Sequence, residues 1–465
     1  MNDFVPPTLW RILHETPGLE RSYLVGGCVR DWILGNSVTD FDVEVFGIGF
    51  DTLSQALERW GRVDLVGRAF GVIKLSAPDG RTYDFALPRR DSKVGAGHKG
   101  FQVECEPDLP LREAAARRDF TFNALVYDPR SGEVIDFFGG RTDLEHKRLR
   151  HVGPAFVDDP LRVLRGMQFA GRFGLVLDPE TAALCVAMVG SYPELAIERV
   201  REEWLKWAAK SDHPAAGLRC LRDSGWVVHY PELAALIGVE QDAEWHPEGD
   251  VWTHTGHCLD ALVALPQWSW TPTSERWVLM FAVLLHDVGK PLTTSRQIKE
   301  GRLRVVSPGH ERAGVDLARQ FLGRLDLMEA VSARVYPLIA NHMVASADPT
   351  PRALRRLANR LQPSTIENLA AVMTADASGR PPLPRRVPEY VGILLGQAKV
   401  MDLAGQPPRP ILLGRHLIAK GCPPGPSMGE ILRQAFEAQL DGEFDDLPGA
   451  LAWLERQGSC LCPSP

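Results

Sequence analysis

The stretch Leu24-Val25-Gly26-Gly27-Cys28-Val29-Arg30-Asp31, followed a few residues later by Thr39-Asp40-Phe41-Asp42-Val43-Glu44, gathers the residue types that handle a nucleotide. Paired glycines at the end of an apolar run let the backbone approach phosphate closely, and a helix-compatible segment behind them offers its N–H groups to the same anion. Arg30 falls one helical turn into that segment, from which a guanidinium can reach back to the phosphates as a planar fork. Asp40 and Asp42 take alternate positions of the next apolar run, so on a β-strand both carboxylates share a face and can hold divalent cations. Cations held so activate an attacking hydroxyl and steady a leaving pyrophosphate, the chemistry of nucleotidyl transfer. A lone Gly-Gly is commonly only a turn, and a lone Asp-x-Asp only a solvated cap. It is their order and closeness that carries the reading.

Such groups need a strand, a tight turn and a helix to position them. Short β-rich runs alternating with helical stretches provide these over residues 1–150, within which Ser92 to Asp108 is Gly-rich and reads as a loop. After Pro160 the apolar spacing becomes three and four, through Leu161, Leu164, Phe169 and Phe173 and again from Ile197 to Ala208, as in amphipathic helices. The composition shifts around Trp245-His246-Pro247-Glu248-Gly249, where histidines begin to gather. From about Gly379 the chain is Pro- and Arg-rich and then helical, with no constellation that could do chemistry. The expected class is therefore α+β: a mixed head of sheet and helices (1–150), an all-α neck (151–244), a helical domain carrying the histidines (245–380) and a helical tail (381–465).

Composition sets limits on function. A chain of 465 residues is long enough for about three domains, and its apolar runs are short and broken by charge, so neither a membrane span nor a secretory leader is expected. Eight cysteines without Cys-x-x-Cys spacing read as reduced thiols, with Cys460 and Cys462 in a frayed tail, and the protein is expected to be cytoplasmic. A net charge of -7 has the wrong sign for indiscriminate nucleic-acid binding, so RNA contact requires local patches such as Arg141 to Arg150 or Arg352 to Arg360. Either stretch serves equally as a solvated helix face.

The histidine-rich region offers a second chemistry. His254, the doublet His286-Asp287, His310, His342 and Asp376 are ligand types for divalent metal, and on successive helices they can converge inside a bundle. His151, His246 and His257 read as ordinary core or helix-end histidines. The run Leu-Leu-His286-Asp287-Val-Gly289-Lys290 resembles the HD family of phosphohydrolases, over residues 250–380. That resemblance implies a transition metal whose identity the sequence leaves open, and hydrolysis of phosphate esters such as RNA ends or nucleotides.

The N-terminal segment, in turn, resembles the class II tRNA nucleotidyltransferases, the CCA-adding enzymes, and their poly(A) polymerase relatives. Arg81-Thr-Tyr-Asp84-Phe-Ala-Leu-Pro is similar to that family's next strand, with Asp84 as candidate third carboxylate. Arg117-Arg118-Asp-Phe-Thr-Phe-Asn-Ala-Leu resembles its nucleotide-binding segment, with Arg118 on the triphosphate. Asp158-Asp159-Pro-Leu-Arg162-Val-Leu-Arg165 resembles its base-selecting motif. Two departures stand out: Asp158 replaces a usual Glu, and Gln168 takes the place of an arginine, for which Arg172 could compensate.

On a helix, Asp159 and Arg162 share a face, and an Asp acceptor beside an Arg donor matches the amino group and ring nitrogen of cytosine and adenine. Guanine and uracil would leave buried groups unpaired, costing roughly 1–3 kcal/mol each. Asp159 before Pro160 also reads as a helix cap. The resemblance implies CCA addition to tRNA from CTP and ATP, with Mg2+ on Asp40 and Asp42 and the nucleotide held by Gly26, Gly27, Arg30, Arg118 and Arg165. CC-only, A-only or poly(A) synthesis are alternatives within the class. An HD phosphohydrolase whose head only binds RNA is an alternative outside it. Oligomeric state is not legible.

Overall fold

Alternating apolar residues lay down strands β1 (Ser22–Val25), β2 (Phe41–Val45), β3 (Arg62–Asp64), β4 (Val72–Ser76), β5 (Thr82–Ala86), β6 (Arg89–Lys93), β7 (Phe101–Cys105), β8 (Val126–Tyr127) and β9 (Val134–Ile135). Seven of them form one sheet in the order β3-β4-β5-β2-β1-β8-β9. Only β2 and β5 are parallel neighbours, in a register that sets Asp42 beside Asp84. Phe41, Val43, Val45, Tyr83 and Phe85 turn into the core, which leaves the intervening carboxylates on the opposite face.

The computed structural model describes residues 4–65, 71–93, 101–346 and 348–457. These fall into two compact units, Met1–His229 and Tyr230–Pro465. The loop expected over 92–108 is in part an antiparallel ribbon of β6 and β7, because pairing from Arg89↔Cys105 to Lys93↔Phe101 satisfies backbone groups that a loop would leave to water. Residues 94–100 lie outside the described residues, as do Cys460 and Cys462.

In the first unit the helix Leu161–Phe173 packs against Ile197–Lys210 and Pro214–Asp223. Phe120, Phe122, Phe156, Phe169 and Phe173 form a run of stacked and edge-on rings that fastens this helix to the head.

The second unit is a helical bundle of Val251–Val263, Thr273–Leu285, His310–Arg324, Glu329–Asn341 and Ile366–Ser378. Its central helix is buried on every side from Val278 to Leu285. A separate small core of Leu412, Leu417, Ile431, Phe444 and Trp453 gathers the C-terminal helices. Arg352 and Arg356, one of the stretches considered for RNA contact, pair with Asp441 of the helix Pro426–Asp441. In the other stretch, Arg150 bonds the buried Asp143 at 2.8 Å. Both stretches thus hold structure together. No helix among the described residues is long and apolar enough to cross a membrane.

Candidate functional site

Two sites emerge, one in each unit. The first is a cleft of about 1330 Å3 lined by Gly26, Gly27, Arg30, Asp42, Arg118, Asp159, Arg162 and Arg165 among others. Gly26 ends β1 with φ +74, and the helix Gly27–Ile33 starts directly after it. A side chain at Gly26 would place Cβ 2.6 Å from Nη1 of Arg118, a contact that a shift of the arginine tip relieves, so it is the positive φ that calls for glycine here.

Asp42 stands at the cleft floor and Asp40 directly precedes β2, both open to solvent. Partial withdrawal from water pushes the Asp42 carboxyl up; Arg118 pulls it down, while Asp84 and Asp40 push it up further. Asp84 is half-buried, with Lys74 Nζ 3.2 Å away. Three carboxylates within electrostatic reach of one another are a donor set for divalent cations. Glu44, next on the same face, is buried and holds Arg117 at 2.8 Å and Arg118 at 3.7 Å.

The remaining predicted residues line the cleft, but several are engaged differently from expectation. Arg30 is buried: its fork donates to both oxygens of Asp31 at 2.9 Å and to Asn123 Oδ1 at 2.6 Å, over the rings of Phe169 and Phe173. Its donors therefore brace the turn and do not point freely at phosphate. Arg172 joins the same Asp31 at 3.0 Å, beside the buried Gln168.

Asp159 is not on the helix with Arg162. It is extended, with Pro160 as the N-cap residue of Leu161–Phe173, and its Oδ1 accepts from the Leu161 amide at 3.1 Å. The proline ring explains this, since it disfavours the helical region for the residue before it. Asp159 also binds Arg199 at 2.7 Å, and Arg162 donates to the carbonyls of Ala155 and Arg117 at 2.8 and 2.7 Å. Arg199 is thus a cleft residue as well. Arg165 donates to the buried Asp119 at 2.7 Å. Burial works to raise the Asp119 carboxyl, but Arg165 and Asn123 hold it below its usual range. Asp119, Asn123 and Glu44 were missed; the alternation Asp40, Asp42, Glu44 was the available signal for the last.

The second site brings His254, His286, Asp287, His310, His342 and Asp376 together in the bundle, five of them fully buried. Ligand atoms of Asp287, His310 and His342 lie within 4.8 Å of one another, as do those of His254, Cys258, His286 and Asp376. Three rings share one construction: Nδ1 of His286, His310 and His342 lies 2.7 Å from the carbonyl three residues earlier, of Val283, Ser307 and Ile339. This fixes the tautomer and turns each Nε2 inward, the outer-shell arrangement of ligating histidines.

Burial and the neighbouring His286 push His342 down to about 4, so it is neutral at pH 7. Its Nε2 faces that of His310 at 3.1 Å. Two unprotonated nitrogens so placed would repel; although burial works to lower it, Asp287 raises the His310 ring, so a proton there or a metal ion relieves the contact. His286 Nε2 is buried without a hydrogen bond among the described residues. Although burial works to raise it, His286 and Lys290 hold Asp287 well below the usual carboxylate range. The donor set of imidazoles and carboxylates fits a divalent transition metal.

Gly289 explains its place after the doublet, because a Cβ there would lie 2.1 Å from the His310 carbonyl oxygen. Glu248 and His246 border this site, His246 making the ordinary hydrogen bond expected of it, here to Glu248. Glu248 Oε1 is 2.7 Å from His254 Nδ1 and 2.9 Å from His246 Nδ1. By contrast, His151 bonds Thr181 at 2.8 Å.

Residues 22–150 match the Poly A polymerase head domain family and residues 256–377 the HD domain family. The Multifunctional CCA protein of Xanthomonas campestris pv. campestris strain B100 is 39% identical over 370 residues, which cover 77% of this chain and 85% of that protein. The Bacillus stearothermophilus CCA-adding enzyme, solved in complex with CTP, shares the fold at TM-score 0.64 and 21% identity, over 97% of this chain and 98% of that one. The Thermotoga maritima CCA-adding enzyme, solved with tRNA, does so at TM-score 0.56 and 21% identity, over 97% of each. With a head and an HD domain in this order, and identity of that extent over most of both chains, this protein belongs to the multifunctional CCA protein family.

Proposed function

We propose that the chain is a cytoplasmic tRNA nucleotidyltransferase that adds C and A residues to the tRNA 3′ end from CTP and ATP without a template. The observation that carries this reading is the register of Asp42 beside Asp84 on the cleft that Arg118, Asp159 and Arg162 also line. Asp40 and Asp42, with Asp84 adjacent, are the residues that would hold Mg2+, which when bound would act as a Lewis acid, easing loss of the proton from the attacking hydroxyl and offsetting charge on the departing pyrophosphate. The 3′ oxygen of the RNA bonds to the α-phosphorus, the bond from that phosphorus to the bridging oxygen breaks, pyrophosphate leaves with the electron pair, and the hydroxyl proton passes to water.

The turn at Gly26 and Gly27 carries the phosphates, Arg118 exchanges Glu44 for them, and Arg30 and Arg165 hold the wall through Asp31 and Asp119. Asp159 and Arg162 read the base edge. A chosen protein surface accepts both C and A, which favours full CCA synthesis over the narrower alternatives. Incubation with tRNAs lacking all, two or one of the terminal nucleotides, with CTP and ATP separately and together, should give CC from CTP alone and complete ends with both. Long A tracts, or extension by one nucleotide type only, would overturn it.

A second activity rests on the facing Nε2 atoms of His310 and His342. We read the cluster as a transition-metal phosphohydrolase site, with His254, His286, Asp287 and Asp376 as principal ligands and His310 and His342 extending it. A metal bound there supplies hydroxide at neutral pH. Release of inorganic phosphate from nucleoside phosphates by metal-supplied protein is the measurement, and no release with any transition metal refutes the assignment.

A further inference from the structure

The wall above the histidine cluster carries a feature that metal binding does not need. A cavity of about 390 Å3 opens over Asp287, Asp376 and His310, and two of its lining residues are large apolar side chains left in solvent: Trp245, 61% exposed, and Met343, 56% exposed. The indole ring of Trp245 makes no ring contact and no side-chain hydrogen bond among the described residues.

The loop that presents it is nevertheless fixed. Lys290 Nζ donates to Gln241 at 2.7 Å, and Asp242 holds both Arg304, at 3.1 Å, and the Val305 amide of the neighbouring hairpin, at 3.3 Å. Glu240 binds Arg296 of that hairpin at 2.7 Å. An exposed aromatic ring on an immobilised loop costs little entropy to use and is poorly solvated, as a stacking platform should be.

Cations line the same cavity between the ring and the floor. Lys290 lies 2.7 Å from Asp287 Oδ2, Arg380 bonds Asp376 at 2.9 Å, and Lys299 stands exposed on the hairpin. Their charge matches a phosphate, and the indole face matches a nucleobase.

We propose that Trp245 is the specificity-determining residue of this site, stacking the base of a nucleoside phosphate while Lys290, Arg380 and Lys299 draw its phosphate to the cluster. The proposal rests on the phosphohydrolase reading and names what that site prefers: esters that bear a base over esters that bear none.

The test compares wild type, Trp245→Ala and Trp245→Phe, supplied in turn with Mn2+, Co2+ and Ni2+, on adenosine 3′-monophosphate and on glycerol phosphate. Base stacking is worth enough that the KM for adenosine 3′-monophosphate relative to glycerol phosphate should rise roughly 5- to 150-fold in Trp245→Ala, with kcat little changed and Trp245→Phe recovering most of the preference. An unchanged ratio in a normally melting Trp245→Ala protein overturns the proposal. Should wild type cleave neither ester, the phosphohydrolase reading fails by itself. Calorimetric titration with adenosine 3′-monophosphate then decides on Trp245, since weaker binding to Trp245→Ala sustains it and equal binding overturns it.

Discussion

The two sites solve opposite electrostatic problems. In the cleft, charged side chains rest on one another across distant segments: Arg172 on Asp31, Arg165 on Asp119, Asp159 on Arg199, and Arg117 and Arg118 on Glu44. In the bundle, three imidazoles rest on backbone carbonyls and turn their remaining nitrogens inward, toward neighbouring ligand groups. A ligand entering the cleft must exchange partners with groups that are already paired, so charge can be redistributed between empty and loaded states. A cation entering the bundle meets donors whose orientation was fixed when the helices folded. Adaptability belongs to the first arrangement and preorganisation to the second.

The largest test of this contrast separates the sites. Asp42→Ala should cut nucleotide incorporation by about a thousandfold or more while phosphate-ester hydrolysis continues, and Asp287→Asn should do the reverse. Parallel loss of both activities in either variant would show that the sites are not independent.

A smaller effect tests preorganisation. Glu248 is buried, and although burial works to raise its carboxyl, bonds from His246 and His254 hold it at about 2, so it stays ionised against His254 Nδ1. Glu248→Gln should weaken metal binding roughly 10- to 100-fold, read by calorimetric titration with Mn2+. Unaltered affinity would mean that the helices alone orient His254.

The mildest effect tests adaptability. Arg199→Ala frees Asp159 from its 2.7 Å partner, and discrimination of CTP and ATP against UTP and GTP should fall about tenfold as the carboxylate loses its bearing. Competition assays with mixed nucleotides measure this, and undiminished discrimination would show that Arg199 contributes only charge.

What was legible in the sequence follows a related division. The strand bearing Asp42 and the glycine turn were readable because local spacing fixes them, whereas the gathering of His254, His286, Asp287 and Asp376, up to 122 residues apart, was readable from their ligand chemistry and the resemblance of the His286-Asp287 run. The engagements of Arg30 and Asp159 were not, because their partners come from elsewhere in the chain: Asn123 lies 93 residues from Arg30, and Arg199 lies 40 from Asp159. Glu248 and Cys258 were missed for a different reason: both are close to His254 in sequence, and the spacing of four that puts Cys258 one helical turn from His254 was the available signal.

The pairing of β2 with β5 has a bearing on how this molecule can change over evolutionary time. Because Asp42 and Asp84 are neighbours by strand register, the gap between their carboxylates is set by the peptide ladder. Sliding β5 by one residue would exchange Asp84 for Tyr83 or Phe85 and expose an aromatic ring that the core needs. Insertions are therefore tolerable in the connections on either side of these strands and intolerable within them, so a drifting lineage can lengthen its loops freely while the two carboxylate-bearing strands in the interior of the sheet stay locked to the packing behind them.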